Sequence, residues 1–118
     1  MGVAKFEFTL DGSIKDFNKQ LDDWLNTTTE GQRYKYKDPS PGFDIKLQRG
    51  IGILTAPIVF EFRIDSNYDS KVDILSIGYV RNFLFLGKSA ISDKAIFGTL
   101  PRRNGWNDMM KLLDFLDI

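Results

Sequence analysis

The sequence predicts an α+β domain in which an antiparallel sheet of about five to six strands is covered on one face by two helices. Three observations predict this class. Several segments alternate apolar and polar residues with a period of two, as half-buried strands do. Two segments, one in the N-terminal half and one at the C-terminal end, carry apolar residues at helical spacing. The strand segments follow one another through short turns, which requires antiparallel pairing.

The first strand and the first helix are predicted in the N-terminal half of the chain. Residues 3–10 alternate apolar and polar side chains, which is typical of a half-buried strand. An Asp11-Gly12 turn follows, and Ser13 with Asp16 forms a variant of the capping box that begins a helix. Gly31 is the predicted stop signal after this helix. The apolar face of the helix consists of Ile14, Phe17, Leu21, Trp24 and Leu25.

Strand patterns dominate the middle of the chain. The segments that alternate are residues 33–37, 43–48, 58–64 and 72–81. Pro39–Gly42 has turn chemistry, the glycines of Arg49–Gly52 indicate a bulge or a close backbone approach, and Gly78 indicates a bend. The polar residues Asp65–Ser70 are predicted to form a loop between two strands. Residues 82–86 fit either a short strand or a buried connection.

The C-terminal part of the chain is predicted to end in the second helix. After a turn at Gly87-Lys88, a strand is predicted over Ala95–Leu100, and Pro101 ends it. Asn104 or Asn107 then caps the helix. The apolar stripe of this helix consists of Trp106, Met109, Met110, Leu113 and Leu116. With one sheet and its two helices, residues 1–118 are predicted to form a single domain.

The composition excludes several kinds of active site. The chain has no cysteine and no histidine, so thiolate nucleophiles, Ser–His–Asp triads and the usual zinc sites are impossible. Catalysis would have to use Asp, Glu, Lys, Tyr, Ser or Thr, and no spacing of these residues indicates a catalytic motif. We therefore predict a protein that is not an enzyme and that uses neither a cofactor nor a metal.

The sequence also predicts a cytoplasmic protein that does not bind membranes. The N-terminus lacks the basic stretch and the long apolar core of a signal peptide. The longest nearly apolar run, Ile51–Phe60, has about half the length that a membrane helix needs.

Basic residues concentrate in two regions, although the formal net charge is +0. The candidate anion- or partner-binding residues in these regions are Arg33, Tyr34, Lys35, Tyr36, Arg102 and Arg103. Basic groups beside aromatic rings suit an anion or a single-stranded nucleic acid. The alternative is the solvent-exposed face of an edge strand, whose charges protect it against aggregation. The balanced charge and the pI of about 6.2 favour this alternative and disfavour nucleic acid as a partner.

The sheet face turned away from the helices is predicted to carry apolar residues as well. This face is then a ligand cavity or an interface to a partner. Glu61 alternates with large apolar residues there, either as a buried acid or base or as the partner of a cross-strand Arg or Lys. The residues predicted for a cavity or an interface are Val59, Glu61, Leu75, Ile77 and Tyr79 on this face, together with Trp106 on the C-terminal helix.

Two stretches of the chain resemble a known family. Residues 49–57 read R-G-I-G-I-L-T-A-P, and Leu100-Pro101-Arg102-Arg103 is followed by Asn107 and Leu112-Leu113. Together they resemble the K/R-G-x-G-x-L-T-A-P segment and the L-P-R-K/R…N…L-L ending of small bacterial proteins of uncharacterised function. The resemblance covers the C-terminal two-thirds of the chain and departs at Trp106–Asp108, where smaller or basic residues are expected. It implies a bacterial source and a compact α+β domain, and it assigns no activity.

Three functional hypotheses follow from the sequence. The first is a non-enzymatic binding or protein-interaction module, whose partner is another protein or a second copy of the chain. The second is a carrier of a small apolar ligand, with a cavity between the sheet and the C-terminal helix, so that ligand would change the fluorescence of Trp106. The third is a weak binder of anions or nucleic acid through the basic residues, with a steep dependence on salt.

Overall fold

A computed structural model describes residues 2–50, 56–81, 87–94 and 100–118 of the chain. It confirms the predicted α+β class, with an antiparallel sheet and one helix towards each end. The described elements are β1 (Ala4–Asp11), α1 (Ile14–Thr27), a 3-10 turn (Gly31–Arg33), β2 (Tyr34–Lys37), β3 (Ile45–Arg49), β4 (Ile58–Tyr68), β5 (Lys71–Arg81), β6 (Lys88–Ala90) and α2 (Leu100–Phe115).

The sheet has the strand order β1-β5-β4-β3-β2, and β6 pairs with β5. Strand β6 continues the edge that β1 occupies, because β1 pairs with β5 up to Gly78 and β6 pairs with it from Tyr79. Within the described residues, β2 pairs only with β3 and therefore forms the opposite edge. The long hairpin of β4 and β5 occupies the centre of the sheet.

The main core lies between one face of the sheet and both helices. Alternate strand residues such as Phe60 and Phe62 point to this face and are fully buried. From α1, Phe17 meets Phe62 edge to face with ring centroids 5.7 Å apart, and Trp24 is also fully buried. From α2, Met109 joins the same cluster. Burial of one such side chain contributes roughly 1.5–3 kcal/mol, so this layer carries much of the fold's stability.

The predicted start of α1 is confirmed. The backbone N–H of Ser13 donates to Asp16 Oδ2 (2.8 Å), and the N–H of Asp16 donates to Ser13 Oγ (3.2 Å), which completes the capping box. Hydrogen bonds from the backbone and the hydroxyl of Ser13 lower the pKa of Asp16. The alternation predicted for residues 3–10 appears as β1, and the alternation over 72–81 appears as β5.

The prediction of a loop over Asp65–Ser70 is wrong. Strand β4 continues to Tyr68. Asp65 is the extra residue at an irregularity in this strand, where the register with β5 shifts between Ile64 and Ser66. Only Asp69 and Ser70 form the turn, with φ angles of 48° and 58°. The β4 residues of this part are mostly exposed and the apolar alternation of β4 ends there, although Val72 on β5, opposite Asn67, is still buried in the core.

The prediction of a helix cap at Asn104 or Asn107 is also wrong, because both residues lie inside α2. The strand predicted over Ala95–Leu100 is wrong at Leu100, its one described residue. Leu100 already belongs to α2, with Pro101 in the first turn, where its missing N–H costs nothing. The additional edge strand lies earlier, at β6. Three segments lie outside the described residues: 51–55, 82–86 and 95–99. The first contains Gly52 and most of the R-G-I-G-I-L-T-A-P stretch, and the second is the segment that fitted either a strand or a connection.

Gly78 is a site of close approach. A Cβ atom built on Gly78 would lie 2.5 Å from Cδ1 of Ile91, the buried residue that follows β6. The absence of a side chain at Gly78 therefore makes room for Ile91 against the sheet. The described residues include no helix that is both long and apolar enough to cross a bilayer.

Candidate functional site

The edge strand β2 is positioned by the end of α1. Thr28 Oγ1 donates to the carbonyl oxygen of Trp24 (2.7 Å), and the N–H of Gly31 donates to Thr28 Oγ1 (2.9 Å). A Cβ atom at Gly31 would lie 1.9 Å from the Trp24 carbonyl oxygen, so only glycine lets the chain pass α1 at this distance. The residue predicted as a stop signal therefore lies three residues past α1's C-cap and directs the chain into β2.

Tyr34 anchors the start of β2 in the core. Its ring is stacked on Phe60 with centroids 4.9 Å apart and contacts Trp24 at 5.5 Å. Its hydroxyl donates to Oδ2 of Asp108 on α2 (2.7 Å). Burial, and then the charge of Asp108, raise the pKa of Tyr34 well above the usual tyrosine value. The sequence grouped Tyr34 with the partner-binding residues, whereas the structure gives it a supporting position.

Asp108 also pairs with Arg49, directly opposite Tyr34 on β3. The Nη1 atom of Arg49 lies 2.8 Å from the same Oδ2 atom, and the Asp108 side chain is 5% exposed. One carboxylate therefore connects β2, β3 and α2. No sequence motif indicated this group, although helical spacing from Met109 and Leu112 would have placed Asp108 on the buried side of α2.

The outer edge of β2 opens into a groove beside α1. The groove has a volume of about 460 Å³ and is lined by Leu25, Asn26, Gln32, Tyr34, Lys35 and Tyr36. Because Tyr36 and Lys35 point to opposite faces of the sheet, a groove that both line must lie at the strand's edge. Tyr36 is 49% exposed, and its hydroxyl donates to Asp22 Oδ1 on α1. Partial burial and this hydrogen bond raise the pKa of Tyr36.

Three lysines lie together on the sheet face away from the helices. Lys35 and Lys37 belong to β2, and Lys46 on β3 is the direct cross-strand partner of Lys37. Lys35 and Lys37 are exposed, and Lys46 Nζ donates to Ser40 Oγ (3.4 Å). The ion pairs found across the described ranges involve other cations.

The apolar residues predicted for this second face do lie together. Val59, Leu75, Ile77 and Tyr79 form a cluster, and Val3 and Phe43 pack against it. Each of the four is at most 7% exposed, so the chain itself covers them.

Glu61 lies in the middle of this second face and is fully buried. The hydroxyl of Tyr79 donates to Glu61 Oε2 (2.9 Å), and the N–H of Ser40 donates to Glu61 Oε1 (3.3 Å). Burial, and then the bond to Glu61, raise the pKa of Tyr79. Lys46 lies directly opposite Glu61 on β3, as predicted for a cross-strand cation, but in the described part of the chain the carboxylate accepts from Tyr79 and Ser40 while Lys46 Nζ donates to Ser40 Oγ. The bond from Ser40 holds the β2–β3 connection over this face.

Trp106 lies on the opposite sheet face, on the apolar stripe predicted for the last helix. It lies on α2 and contacts Phe6 on the helix-covered face, with ring centroids 5.7 Å apart. A smaller space lies near the start of α2, between it and strands β3 and β4, with a volume of about 160 Å³. Pockets for small molecules begin at about 300 Å³, so this space does not support a carrier of an apolar ligand.

The two arginines predicted to precede the last helix lie inside its first turn. Arg102 is held at the β6 side of the sheet, because its Nε donates to the carbonyl oxygen of Ala90 (2.7 Å). Arg103 is exposed. Strands β3, β4 and β5 lie between β2 and the β6 edge that Arg102 contacts, so Arg102 does not join the basic residues of β2.

A cleft with acidic lining lies near the far end of the central hairpin. It has a volume of about 290 Å³, and Glu7, Asp65 and Asp73 are among its lining residues. Asp73 accepts hydrogen bonds from Ser66 Oγ (2.6 Å) and Thr9 Oγ1 (2.5 Å), which lower its pKa. The described part of the chain contains no group of acidic residues arranged to hold a metal ion.

Comparison of the chain with protein-family models, with curated proteins and with solved structures found no match in any of the three.

Proposed function

We propose that this protein is a non-enzymatic interaction module that binds an extended polypeptide segment as an additional strand along the outer edge of β2. The observation that carries the proposal is the open edge of β2 beside a groove of about 460 Å³. Every second residue of an edge strand turns its N–H and C=O outward, where an incoming strand can pair with them. Recognition by strand addition combines these bonds with pockets for alternate side chains.

The anchoring of β2 supports this proposal. A short strand serves as a template only when its backbone is held in place, and Tyr34 holds it through the bond to Asp108 and the stack on Phe60. Gly31 fixes the strand's approach from α1. The edge is therefore organised before a partner arrives, which lowers the entropic cost of binding.

The other edge of the sheet is less suited to this role. On the face away from the helices, β1 alternates Lys5, Glu7 and Thr9, so a partner strand would meet both signs of charge. The Glu7-lined cleft near this edge, at about 290 Å³, is smaller than the groove beside β2. The cytoplasmic location and the bacterial source stay predictions from the sequence.

The test is selection of binders from a library of random peptides, followed by amide hydrogen exchange of the protein with and without a selected peptide. We expect the outward-facing amides within Tyr34–Lys37 to become protected while those of β1 do not change. Because β1 is also an edge, it serves as an internal control. Protection elsewhere, or a library that yields no binder, would overturn the proposal.

A further inference from the structure

We infer that the segment bound at β2 is acidic at alternating positions, and that Lys35 and Lys37 select it. This inference rests on the proposed function, because it assigns the partner's chemistry at the same edge. Residues directly opposite each other on neighbouring strands share a face. Residues of an added strand that lie opposite Lys35 and Lys37 would therefore stand on the face where both lysines are exposed.

The pairing of Lys37 with Lys46 is the main support. These two cations are direct cross-strand partners, and like charges in that position destabilise a sheet. On the other side of Lys46, Glu61 on β4 lies directly opposite and offsets part of the Lys46 charge, whereas within the described sheet Lys37 lies opposite no acidic residue. A carboxylate on an added strand opposite Lys37 would relieve this repulsion. Within the described sheet Lys37 therefore faces only a cation, and an acidic residue on an added strand would give it a favourable cross-strand pair.

The same charges disfavour a second copy of the chain as the occupant. A two-fold axis that joins two β2 strands antiparallel keeps each face of the sheet continuous, so residues of the same face become opposite. Lys35 then meets Lys35 or Lys37 of the other copy. Both registers place like charges together, whereas an acidic strand from a different protein places opposite charges together.

The experiment compares two labelled probe peptides of about nine residues by fluorescence anisotropy. One alternates Thr with Glu, and the other alternates Thr with Gln. We expect the Glu peptide to bind about fivefold more tightly at low salt, because two cross-strand charge pairs form. The difference should shrink as salt is raised, since both lysines are exposed.

Variants separate charge selection from general attraction. The double substitution Lys35→Glu with Lys37→Glu should reverse the preference, and Lys35→Gln with Lys37→Gln should abolish it. The control is Lys94→Glu with Lys111→Glu, which makes the same charge change at exposed positions away from β2 and should leave the preference unchanged. Thermal melting confirms that each variant folds.

The outcomes distinguish this inference from the function on which it rests. Equal binding of both peptides, with the outward-facing amides within Tyr34–Lys37 protected, overturns the charge selection and leaves strand addition standing. Tight binding of the Glu peptide without that protection overturns strand addition by an acidic segment. A dimer in sedimentation that dissociates on substitution of Lys35 would show that a second copy occupies the edge, and would overturn the inference.

Discussion

The hydroxyl of Tyr34 reaches Oδ2 of Asp108 at 2.7 Å although 74 residues separate the two positions in the chain. This bond joins the edge strand to the C-terminal helix beneath the central part of the sheet. Arg49 shares the same oxygen, so a change at any of the three residues affects the other two.

Replacement Tyr34→Phe should lower the free energy of unfolding by about 1–1.5 kcal/mol, because one buried hydrogen bond is lost while Arg49 still satisfies the carboxylate. Urea titration measures this change, with the m-value expected to stay constant. The matched control is Tyr36→Phe, which removes a hydroxyl bonded to Asp22 at the surface and should cost less than about 0.5 kcal/mol. Equal losses in the two variants would contradict the supporting role of Tyr34.

A double-mutant cycle of Arg49→Leu and Asp108→Asn should give a coupling energy of about 1–2 kcal/mol. The Asp108 side chain is buried, whereas that of Arg49 is 25% exposed, so solvent weakens the pair relative to a fully buried one. The control cycle uses Lys19 and Asp23, an exposed pair on α1 at 3.0 Å, for which about 0.3–0.5 kcal/mol is expected. Additive effects at Arg49 and Asp108 would refute the coupling.

Gly31→Ala should lower the free energy of unfolding by about 3 kcal/mol, because the new Cβ atom collides with the backbone oxygen of Trp24 rather than with a movable side chain. Gly42→Ala is the comparison. Gly42 has a φ of 85° and nothing within 4 Å of an added Cβ, so only the conformational cost of about 1 kcal/mol applies. Chemical denaturation of both variants provides the measurement, and a smaller loss at Gly31 than at Gly42 would contradict the close contact with α1.

Alkaline pH should destabilise the wild-type protein more steeply than the double variant Tyr34→Phe/Tyr79→Phe. Burial raises the pKa of both, so above the unfolded value of about 10 the unfolded chain releases protons that the folded chain keeps. Stability from these groups is full below pH 10 and falls above it, by up to roughly 1.4 kcal/mol per pH unit for each tyrosine. Denaturation at a series of pH values, with Tyr34→Phe/Tyr79→Phe as the control, measures the slope. Parallel curves would contradict the prediction.

The regular elements could be predicted because local rules determine them. The capping box at Ser13 and Asp16, the alternation of β1, and the apolar face of α1 are all readable from neighbouring residues. The alternation of Tyr34 and Tyr36 also placed both rings on one face correctly. It could not show that Tyr34 is buried while Tyr36 is half exposed, because that difference depends on where α1 and α2 pack.

The parts that the sequence did not reveal depend on distant contacts. Asp108 becomes a structural residue only because α2 brings it to Tyr34 and Arg49. Arg102 was expected before the helix, and its bond to Ala90 depends on the position of β6. Trp106 was expected on the apolar stripe of the last helix, and it does pack on the helix-covered face. Helical spacing could not specify that the ring it contacts is Phe6.

The pairing of β1 with β5 has a consequence for the way the chain is made. The pair with the smallest separation in the chain is Asp11 with Lys71, so β1 can pair only after the residues from Lys71 onward have been synthesised. Closing so long a loop carries an entropic cost that local hairpins avoid, which favours early formation of the β4–β5 hairpin. On this order of events, we expect β1, with Phe6 and Phe8, to be the last strand to join the sheet.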